Sequence, residues 1–536
     1  MKQLIVTIAA AAMTITATAQ SLEEGMKMYR YERYASAKKI LQPLSATDAA
    51  ANYYYGLSEL QLGNADAALN AFVKYPEDYA NISGTVRVKF AVEGEAAGMQ
   101  AAQALADMGK KKDWIQKRYA ADAINYSKGG NKQLAVDWYN EVLEKMVTPE
   151  LLVASGDAYL QVNGGGGQAM TNYEKAVEKD PNNSLAYSRM GKLMYNARNY
   201  DKALEHWNKA QEVDPTNPLP YRDMAYAYTY VGKYELAKEN MEKYLEYSDK
   251  SLADQYTYAE ILYQAKYFQE AINKINELRG QGLNKLRSYG ILAYSYMELK
   301  DSDAAQKALE NARIYFGNQK PEEIFTKDYL KQGQIYLMNN LGDSANIAFS
   351  KSLSMDTSGN KIEAYREIAE SFRSNRDWIN AGKWYEKIYA DLAEVATAND
   401  YFWGGYSYYL SITTEGIDTA AMLQKADTIF GTMIVKFPEQ PSGYYWRGRV
   451  NAARDAEGEK CLAAPYFETW LGLEVEGVKK SDKDLLVAYQ YLALCKFRTS
   501  VYAEAVKYAD LILAIDPNNE FGKQIKELGE KEMKKG

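Results

Sequence analysis

Small and large apolar residues recur with a long, regular period through the middle of the chain. Five alanines each lie 34 residues after the one before, at positions 169, 203, 237, 271 and 305. A large side chain follows four residues after each alanine: Tyr173, Trp207, Met241, Ile275 and Leu309. Because residues four apart share one face of an α-helix, this pattern predicts one amphipathic helix in every period.

A second helical stretch precedes each of these alanines. Small residues stand beside large ones there, as in Met190-Gly191, Met224-Ala225 and Leu292-Ala293, and such pairs allow two helices to approach closely. Polar or glycine-containing turns separate the two stretches, for example at residues 197–199 and 231–233. The pattern therefore predicts a helix, a turn and a second helix in each period.

Proline ends two of these periods, at Asp180-Pro181 and Asp214-Pro215, because it cannot continue a helix. A helix-turn-helix unit of 34 residues with these small and bulky positions resembles the tetratricopeptide repeat. The resemblance implies an all-α fold, namely an α-solenoid of stacked helix-turn-helix hairpins wound as a right-handed superhelix. Less regular units on both sides bring the expected total to roughly a dozen hairpins.

Two segments interrupt the regular period. Residues 77–114 are rich in alanine and glycine and lack a clear repeat alanine, which predicts a longer helical unit. Residues 399–477 have longer loops, and they resemble an enlarged repeat in secreted tetratricopeptide proteins of Bacteroidota. The aromatics of this second segment are more typical of a core than of a ligand platform: Tyr444, Tyr445, Trp446 and Trp470.

The chain is predicted to have five parts, and repeats occupy most of its length. The parts are a signal peptide over 1–19, a helical region with degenerate repeats over 20–148, a regular repeat array over 149–395, enlarged hairpins over 396–480, and a C-terminal repeat and helix over 481–536.

The first twenty residues are typical of a secretory signal. Lys2 is followed by an apolar run from Leu4 to Met13 and by an A-x-A site that predicts cleavage after Ala19. The ending resembles the signal peptides of Bacteroidota envelope proteins, and no cysteine lies near it, so a lipoprotein is not expected. No later run of 18 uninterrupted apolar residues follows, so we expect a mature chain that does not span the membrane. The last residues are helix-like and do not resemble the β-rich sorting domain of type IX cargo, which favours retention in the periplasm.

Charge and residue usage leave little material for catalysis. The formal net charge is −7 without a basic stretch, which argues against nucleic-acid binding. The only histidine, His206, precedes Trp207 on a predicted helix and has no nucleophile or acidic partner that the sequence places beside it. The glycines at 164–167 lack the Lys-Ser/Thr of a phosphate loop. We therefore predict a protein that is not an enzyme, with no catalytic residue, cofactor or metal site.

Cys461 and Cys495 are the only two cysteines. In an exported protein they can form a disulfide if adjacent helices bring them together, and two buried free thiols are an equal alternative. The sequence alone leaves the choice open.

The resemblance to tetratricopeptide repeats also implies a concave surface lined by the second, fifth, ninth and twelfth residues of each first helix. Tyrosine is abundant, with 47 residues against 13 phenylalanines, and tyrosine and arginine are favoured in binding hot spots. The candidate groove residues on this basis are Tyr195, Arg222, Tyr226, Tyr256, Glu260, Tyr263, Arg287 and Tyr294.

The predicted function is a non-enzymatic scaffold or adaptor in the bacterial cell envelope, which binds a segment of a protein or peptide partner in this groove. The alternative is a glycan- or nutrient-binding component of an outer-membrane importer, similar to the SusD-type starch-binding proteins, which also contain such repeats. That family is lipid-anchored and devotes much of its chain to other structure, so the adaptor is the preferred hypothesis.

Overall fold

The computed structural model describes residues 21–109, 114–357, 361–475 and 479–535, and the predicted signal peptide over 1–19 lies outside these residues. Within them the chain forms 29 α-helices and one short 3-10 helix, and no strand. It divides into two compact units between Asn284 and Lys285.

The N-terminal unit consists of eight helical hairpins. Their helices are α1 (residues 21–30), α2 (Tyr34–Leu41), α3 (Ala49–Gln61), α4 (Ala65–Phe72), α5 (Tyr79–Val92), α6 (Glu95–Ala106), α7 (Ile115–Asn125), α8 (Lys132–Leu143), α9 (Pro149–Tyr159), α10 (Gly166–Lys179), α11 (Ser184–Asn196), α12 (Tyr200–Val213), α13 (Pro218–Tyr230), α14 (Tyr234–Tyr247), α15 (Leu252–Gln264) and α16 (Phe268–Gly280).

The C-terminal unit continues with hairpins and ends in a single helix. Its helices are α17 (Leu286–Leu299), α18 (Ser302–Asn318), α19 (Thr326–Met338), α20 (Gly342–Met355), α21 (Lys361–Ser374), α22 (Trp378–Asp391), α23 (Ala398–Ser411), α24 (Thr419–Lys436), α25 (Pro441–Arg454), α26 (Ala464–Gly472), α27 (Asp482–Arg498), α28 (Tyr502–Ile515) and α29 (Glu520–Met533). The 3-10 turn Pro321–Glu323 lies between α18 and α19.

The helices pack as a solenoid requires. Each helix contacts the next within its hairpin, and the first helices of neighbouring hairpins also contact each other, as α3 does with α5 and α5 with α7. The same arrangement occurs in the C-terminal unit, where α17 contacts α19 and α19 contacts α21. The predicted all-α fold of stacked helical hairpins is confirmed.

The repeat alanines and the bulky residues after them form the core of each hairpin. Ala203 is fully buried and Trp207 is 1% exposed. The indole of Trp207 lies against Gly191 of the preceding helix, where an added Cβ would come within 2.4 Å of the ring. The same glycine-to-ring packing recurs in both units: Gly56 with Phe72, Gly156 with Tyr173, Gly333 with Phe349, Gly405 with Phe430, and Gly448 with Phe467. The small residue of each small-large pair therefore allows the large side chain of the neighbouring helix to pack closely against it.

Replacing Gly56 by alanine is expected to lower the free energy of unfolding by about 1–3 kcal/mol, because the new Cβ would overlap the Phe72 ring. Chemical denaturation of the purified protein measures this change. Gly167→Ala is the matched control, since no atom lies within 4 Å of its Cβ position and alanine favours the helix. Equal stability of the two variants would show that the glycine contact does not limit packing.

The segment 77–114 was predicted as a longer helical unit, but its described residues up to 109 form an ordinary hairpin of α5 and α6. Gly94 has φ 96° and ends the first helix, a backbone conformation that glycine adopts without a steric penalty. The segment lacks a repeat alanine, so its turn was not recognised from the spacing. In the later segment, Tyr445 and Trp470 are buried as core residues, as the sequence indicated.

Cys461 and Cys495 form a disulfide, which settles the question that the sequence left open. Their Cα atoms lie 5.3 Å apart, and the bond ties the loop after α25 to helix α27. The same loop is held by Asp455, which accepts a hydrogen bond of 2.7 Å from the Tyr491 hydroxyl and further bonds from backbone amides at 459–462.

Reduction of this disulfide is expected to cost about 3 kcal/mol, because it frees a loop of 34 residues in the unfolded chain. Thermal unfolding with and without dithiothreitol measures the loss as a lower midpoint. The double variant Cys461→Ser/Cys495→Ser should already show the lower midpoint and should not respond to the reductant. A wild-type midpoint that is insensitive to dithiothreitol would contradict the assignment.

Candidate binding cavity

The inner helices of the N-terminal unit enclose a cavity of about 1070 Å³. Its wall is formed by α1, by the first helices α3, α5, α7, α9 and α11, and by neighbouring turns. Seven tyrosines line this wall, and they are Tyr29, Tyr31, Tyr34, Tyr53, Tyr54, Tyr119 and Tyr126. Arginines stand among them: Arg30, Arg87, Arg118 and Arg189. Together with the carboxylates of the wall, they give the N-terminal unit an inner surface of aromatic rings and charged groups.

One side of this cavity is closed by the hairpin of α1 and α2, which we name the N-terminal clasp. Helix α2 has no side-chain cap of its own at Arg33, so its first backbone amides need another acceptor. Asp249 supplies it from the loop after α14 and accepts bonds from Ala35 N at 2.7 Å, Ser36 N at 3.3 Å and Ser36 Oγ at 2.6 Å. A carboxylate at a helix N-terminus also interacts favourably with the helix dipole.

Two further carboxylates fasten the clasp. Asp214 accepts a hydrogen bond of 2.8 Å from the Tyr31 hydroxyl and pairs with Lys27 Nζ at 2.8 Å. Glu32 of the clasp pairs with Arg222 of α13 at 2.5 Å. Burial acts to raise the pKa of Asp214 and of Glu32, but these partners outweigh it, and both pKa values lie below their ordinary values. Two of the three carboxylates that hold the clasp, Asp214 and Glu32, are therefore stabilised in their ionised form.

Helices α7 and α9 contribute two largely buried carboxylates with different partners. Asp157 accepts a bond of 2.7 Å from the Tyr173 hydroxyl and pairs with Arg189 Nε at 3.2 Å. Asp122 accepts a hydrogen bond from Tyr139, whereas its distance to Arg118 Nε is 3.9 Å. Burial raises the pKa of Asp122, so this carboxylate carries its negative charge less readily than an exposed one.

Of the predicted groove residues of α11 and α13, Arg222 contacts the clasp. Arg222 is engaged with Glu32 of the clasp and, at 3.5 Å, with its neighbour Asp223. Tyr226, one turn later, is 43% exposed. Tyr195 is half-buried, with its ring 5.8 Å from that of Trp207. Of these three, Tyr226 presents the most surface to a partner.

The predicted groove residues of α15 differ in exposure. Tyr256 is 4% exposed and belongs to the core, whereas Glu260 and Tyr263 are half-buried. The Tyr263 ring packs 6.0 Å from that of Phe268. Their role in binding a partner stays a prediction.

The last two predicted groove residues, Arg287 and Tyr294, belong to the C-terminal unit, and both interact with Asp328 there. The Arg287 guanidinium donates to the Tyr315 hydroxyl at 2.7 Å and lies 3.4 Å from Asp328 Oδ1. The buried Tyr294 hydroxyl donates to the same carboxylate oxygen at 2.6 Å. These two residues therefore form one polar cluster within their own unit.

Sequence reasoning missed the residues of the cavity wall because the position rule was applied to regular repeats only. Counted from the observed helix starts, the fifth residue of α3 is Tyr53, the ninth of α5 is Arg87 and the ninth of α9 is Asp157. All three line the cavity. The signal was present in the sequence, but the helix starts that it requires were not evident without repeat alanines.

His206 is half-buried on α12, and burial lowers its pKa. Among the described residues, no group of three or more histidine, cysteine, aspartate or glutamate side chains is placed to hold a metal ion. Nor is any helix of those residues both long enough and apolar enough to cross a bilayer.

Two family profiles match parts of the chain. One, described as tetratricopeptide repeat, matches residues 184–217, and the other, described as Fis1 C-terminal tetratricopeptide repeat, matches residues 488–536. The chain contains tetratricopeptide repeats. Such repeats generally mediate protein–protein interactions, and proteins built from them are typically not catalytic.

Other relatives share the repeat over limited stretches. The mouse (Mus musculus) tetratricopeptide repeat protein 21B is 30% identical over 73 residues, which are 14% of this chain and 6% of the mouse protein. The chain thus matches a small fraction of that relative.

Solved structures of other tetratricopeptide proteins are also similar. The C-terminal part of a repeat protein from Cytophaga hutchinsonii is 24% identical, with a TM-score of 0.38 over 50% of this chain and 98% of that one. A tetratricopeptide repeat protein from Parabacteroides merdae is 17% identical, with a TM-score of 0.29 over 51% and 97%. YrrB, described as a TPR protein with an unusual peptide-binding site, is 16% identical, with a TM-score of 0.30 over 36% and 96%. These likenesses concern the fold alone.

Proposed function

We propose that this protein is a non-enzymatic scaffold or adaptor of the bacterial cell envelope that holds a segment of a protein partner in the cavity of its N-terminal unit. The observation that carries the proposal is the wall of tyrosine and arginine side chains around that cavity. These residue types bury a large area and donate hydrogen bonds, and they dominate the binding energy of many protein interfaces.

The size of the cavity fits this role. At about 1070 Å³ it lies at the upper end of the roughly 300–1,000 Å³ range of ligand pockets, which is room for a short segment rather than a folded domain. Half-buried rings such as Tyr54 and Tyr119 leave part of their surface to the interior. A partner would therefore insert an extended or looped segment and leave its folded part outside.

An envelope location is supported by two independent features. The residues before Ser21 have the composition of a signal peptide with cleavage after Ala19, of the kind seen in Bacteroidota envelope proteins. The Cys461–Cys495 disulfide is stable in an oxidising compartment such as the periplasm and is uncommon in the cytosol. We place the mature protein in the periplasm on these grounds.

The glycan-binding alternative would draw on the aromatic segment of the C-terminal unit. There the Trp446 ring lies 4.5 Å from Tyr406 and 5.5 Å from Tyr409, and the Trp403 ring is covered by Arg373 at 3.8 Å. Rings that pack on one another in this way offer less open face to a sugar than a binding platform does. The protein-binding hypothesis is therefore preferred.

The proposal is tested by affinity capture of the tagged protein from its own cell envelope, read by mass spectrometry. The double variant Tyr54→Ala/Tyr119→Ala, which strips two rings from the cavity wall, should recover at least about tenfold less partner than wild type. Tyr230→Ala is the control, since this tyrosine is 77% exposed and lies outside the wall. Undiminished capture by the cavity variant would refute the proposed binding site.

A further inference from the structure

The most unusual group in the cavity wall is the guanidinium of Arg87 on α5. It is 3% exposed, and its hydrogen bonds to the described residues are long: 3.3 Å to the Tyr29 hydroxyl and 3.3 Å to the carbonyl oxygen of Tyr126. Its Nε has no hydrogen-bond partner, and no carboxylate among the described residues lies within 4.0 Å. Burying a charged group without an opposite charge is costly, so this position favours an anion.

A second arginine of the same wall, Arg118, also has few hydrogen-bond and ion-pair partners. The Nε of Arg118 also lacks a hydrogen-bond partner among the described residues, and its ion pair with Asp122 is long, at 3.9 Å. Asp122 is within electrostatic range of both arginines, but it already accepts a hydrogen bond from Tyr139. One buried carboxylate therefore faces two guanidinium groups.

Three other carboxylates of the wall pair with other cations. Glu32 pairs with Arg222, Asp157 with Arg189, and Asp214 with Lys27. Among the described residues, Arg118 thus has one ion pair, the long one with Asp122, and Arg87 has none. Tyrosine rings lie beside both guanidinium groups: Arg87 is 5.8 Å from the centroid of the Tyr126 ring, and Arg118 is 5.1 Å from that of the Tyr119 ring.

We propose that Arg87 and Arg118 form a binding site for an oxyanion, a carboxylate or phosphate group whose organic body packs against the surrounding tyrosine rings. This inference rests on the proposed function, because the oxyanion would anchor the partner segment inside the cavity. An oxyanion in the cavity would pair with the two guanidinium groups, and hydrogen bonds between ionised groups are the stronger kind. The same chemistry also fits a free organic anion.

Calorimetric titration of the full chain with three probes tests the site. Benzoate and phenyl phosphate carry the oxyanion on an aromatic body, whereas benzamide has nearly the same shape without the charge. We expect the two anions to bind and benzamide not to bind. Arg87→Met and Arg118→Met should each weaken anion binding about tenfold or more, while Arg313→Met, at an exposed helix position, should leave it unchanged. Binding that Arg87→Met does not weaken, or no binding of either anion, would overturn the inference.

The stability of Arg87→Met separates a ligand site from a structural role. Replacing an incompletely paired buried charge with an apolar residue of similar length is often neutral or stabilising, so its melting midpoint should equal or exceed that of wild type. A clearly lower midpoint would assign Arg87 a structural role and count against the inference.

Partner capture separates this inference from the proposed function. If Tyr54→Ala/Tyr119→Ala loses the partner and Arg87→Met retains it, the cavity binds a partner without an oxyanion anchor, and the inference fails alone. If the anions bind as expected and no partner reaches the cavity, the site serves a free organic anion, and the proposed function fails alone.

Discussion

Replacing Asp249 by alanine is expected to release the N-terminal clasp from the rest of its unit. The carboxylate accepts three hydrogen bonds from the first turn of α2, which has no cap of its own, and each such bond to a charged group contributes about 1.5–3 kcal/mol. Allowing for partial exposure, the clasp should lose about 3–5 kcal/mol of docking free energy. Hydrogen exchange of the α1 and α2 amides should then accelerate by at least about a hundredfold.

Asp137→Ala is the control for this variant, because Asp137 is exposed on the second helix α8 and takes no part in the clasp. Its clasp amides should exchange as in wild type. If the Asp249 variant leaves exchange of α1 and α2 unchanged, the contacts of Asp249 do not hold the clasp closed.

The clasp should also weaken in acid. The pKa of Glu32 lies below its ordinary value of 4.5, and that of Asp214 below 3.8. A carboxylate with a lower pKa in the folded state contributes stability above its unfolded pKa and loses it as the pH falls through the folded value. Protection of the clasp amides should therefore hold from neutral pH to about pH 5 and decline below it. A decline that begins above pH 6 would point to other groups.

The second large effect is expected from Trp207→Ala. This side chain is 1% exposed and fills the space between α11 and α12 against Gly191, so its removal leaves a large cavity. Truncating a buried tryptophan typically costs about 3–5 kcal/mol. Chemical denaturation should show this loss as a lower free energy of unfolding.

His206→Ala supplies the neighbouring control. The imidazole is half-buried, whereas Trp207 is 1% exposed, so the expected change is within about 1 kcal/mol. Equal losses from the two variants would contradict the assignment of Trp207 as the repeat's core residue and of His206 as an ordinary helix residue.

Much of the fold could be predicted from the sequence because the repeat encodes a local geometry. Ala203, Trp207 and Gly191 specify how closely two adjacent helices pack, and this requirement recurs every 34 residues in the regular array. Where the repeat alanine is missing, as in α5 and α6, the turn depends on a single glycine, Gly94. The 34-residue spacing of the alanines does not predict the position of this turn.

The candidate site was harder to predict because it depends on contacts between distant parts of the chain. The clasp brings Tyr31 to Asp214 and Ser36 to Asp249, pairs separated by 183 and 213 residues. No local pattern encodes such pairs. The predicted groove residue Arg222 was correctly assigned to a first helix, but its pairing with Glu32 could be found only in three dimensions.

Site-specific photo-crosslinking in the cells that make the protein tests the central claim most directly. A benzophenone amino acid would replace Tyr54 in the cavity wall or, in a separate variant, Leu236, an exposed residue of the second helix α14. The account predicts that a defined protein partner is crosslinked from position 54 and not from position 236. Crosslinks from position 236 with none from position 54 would contradict it and move the binding surface to the outside of the unit.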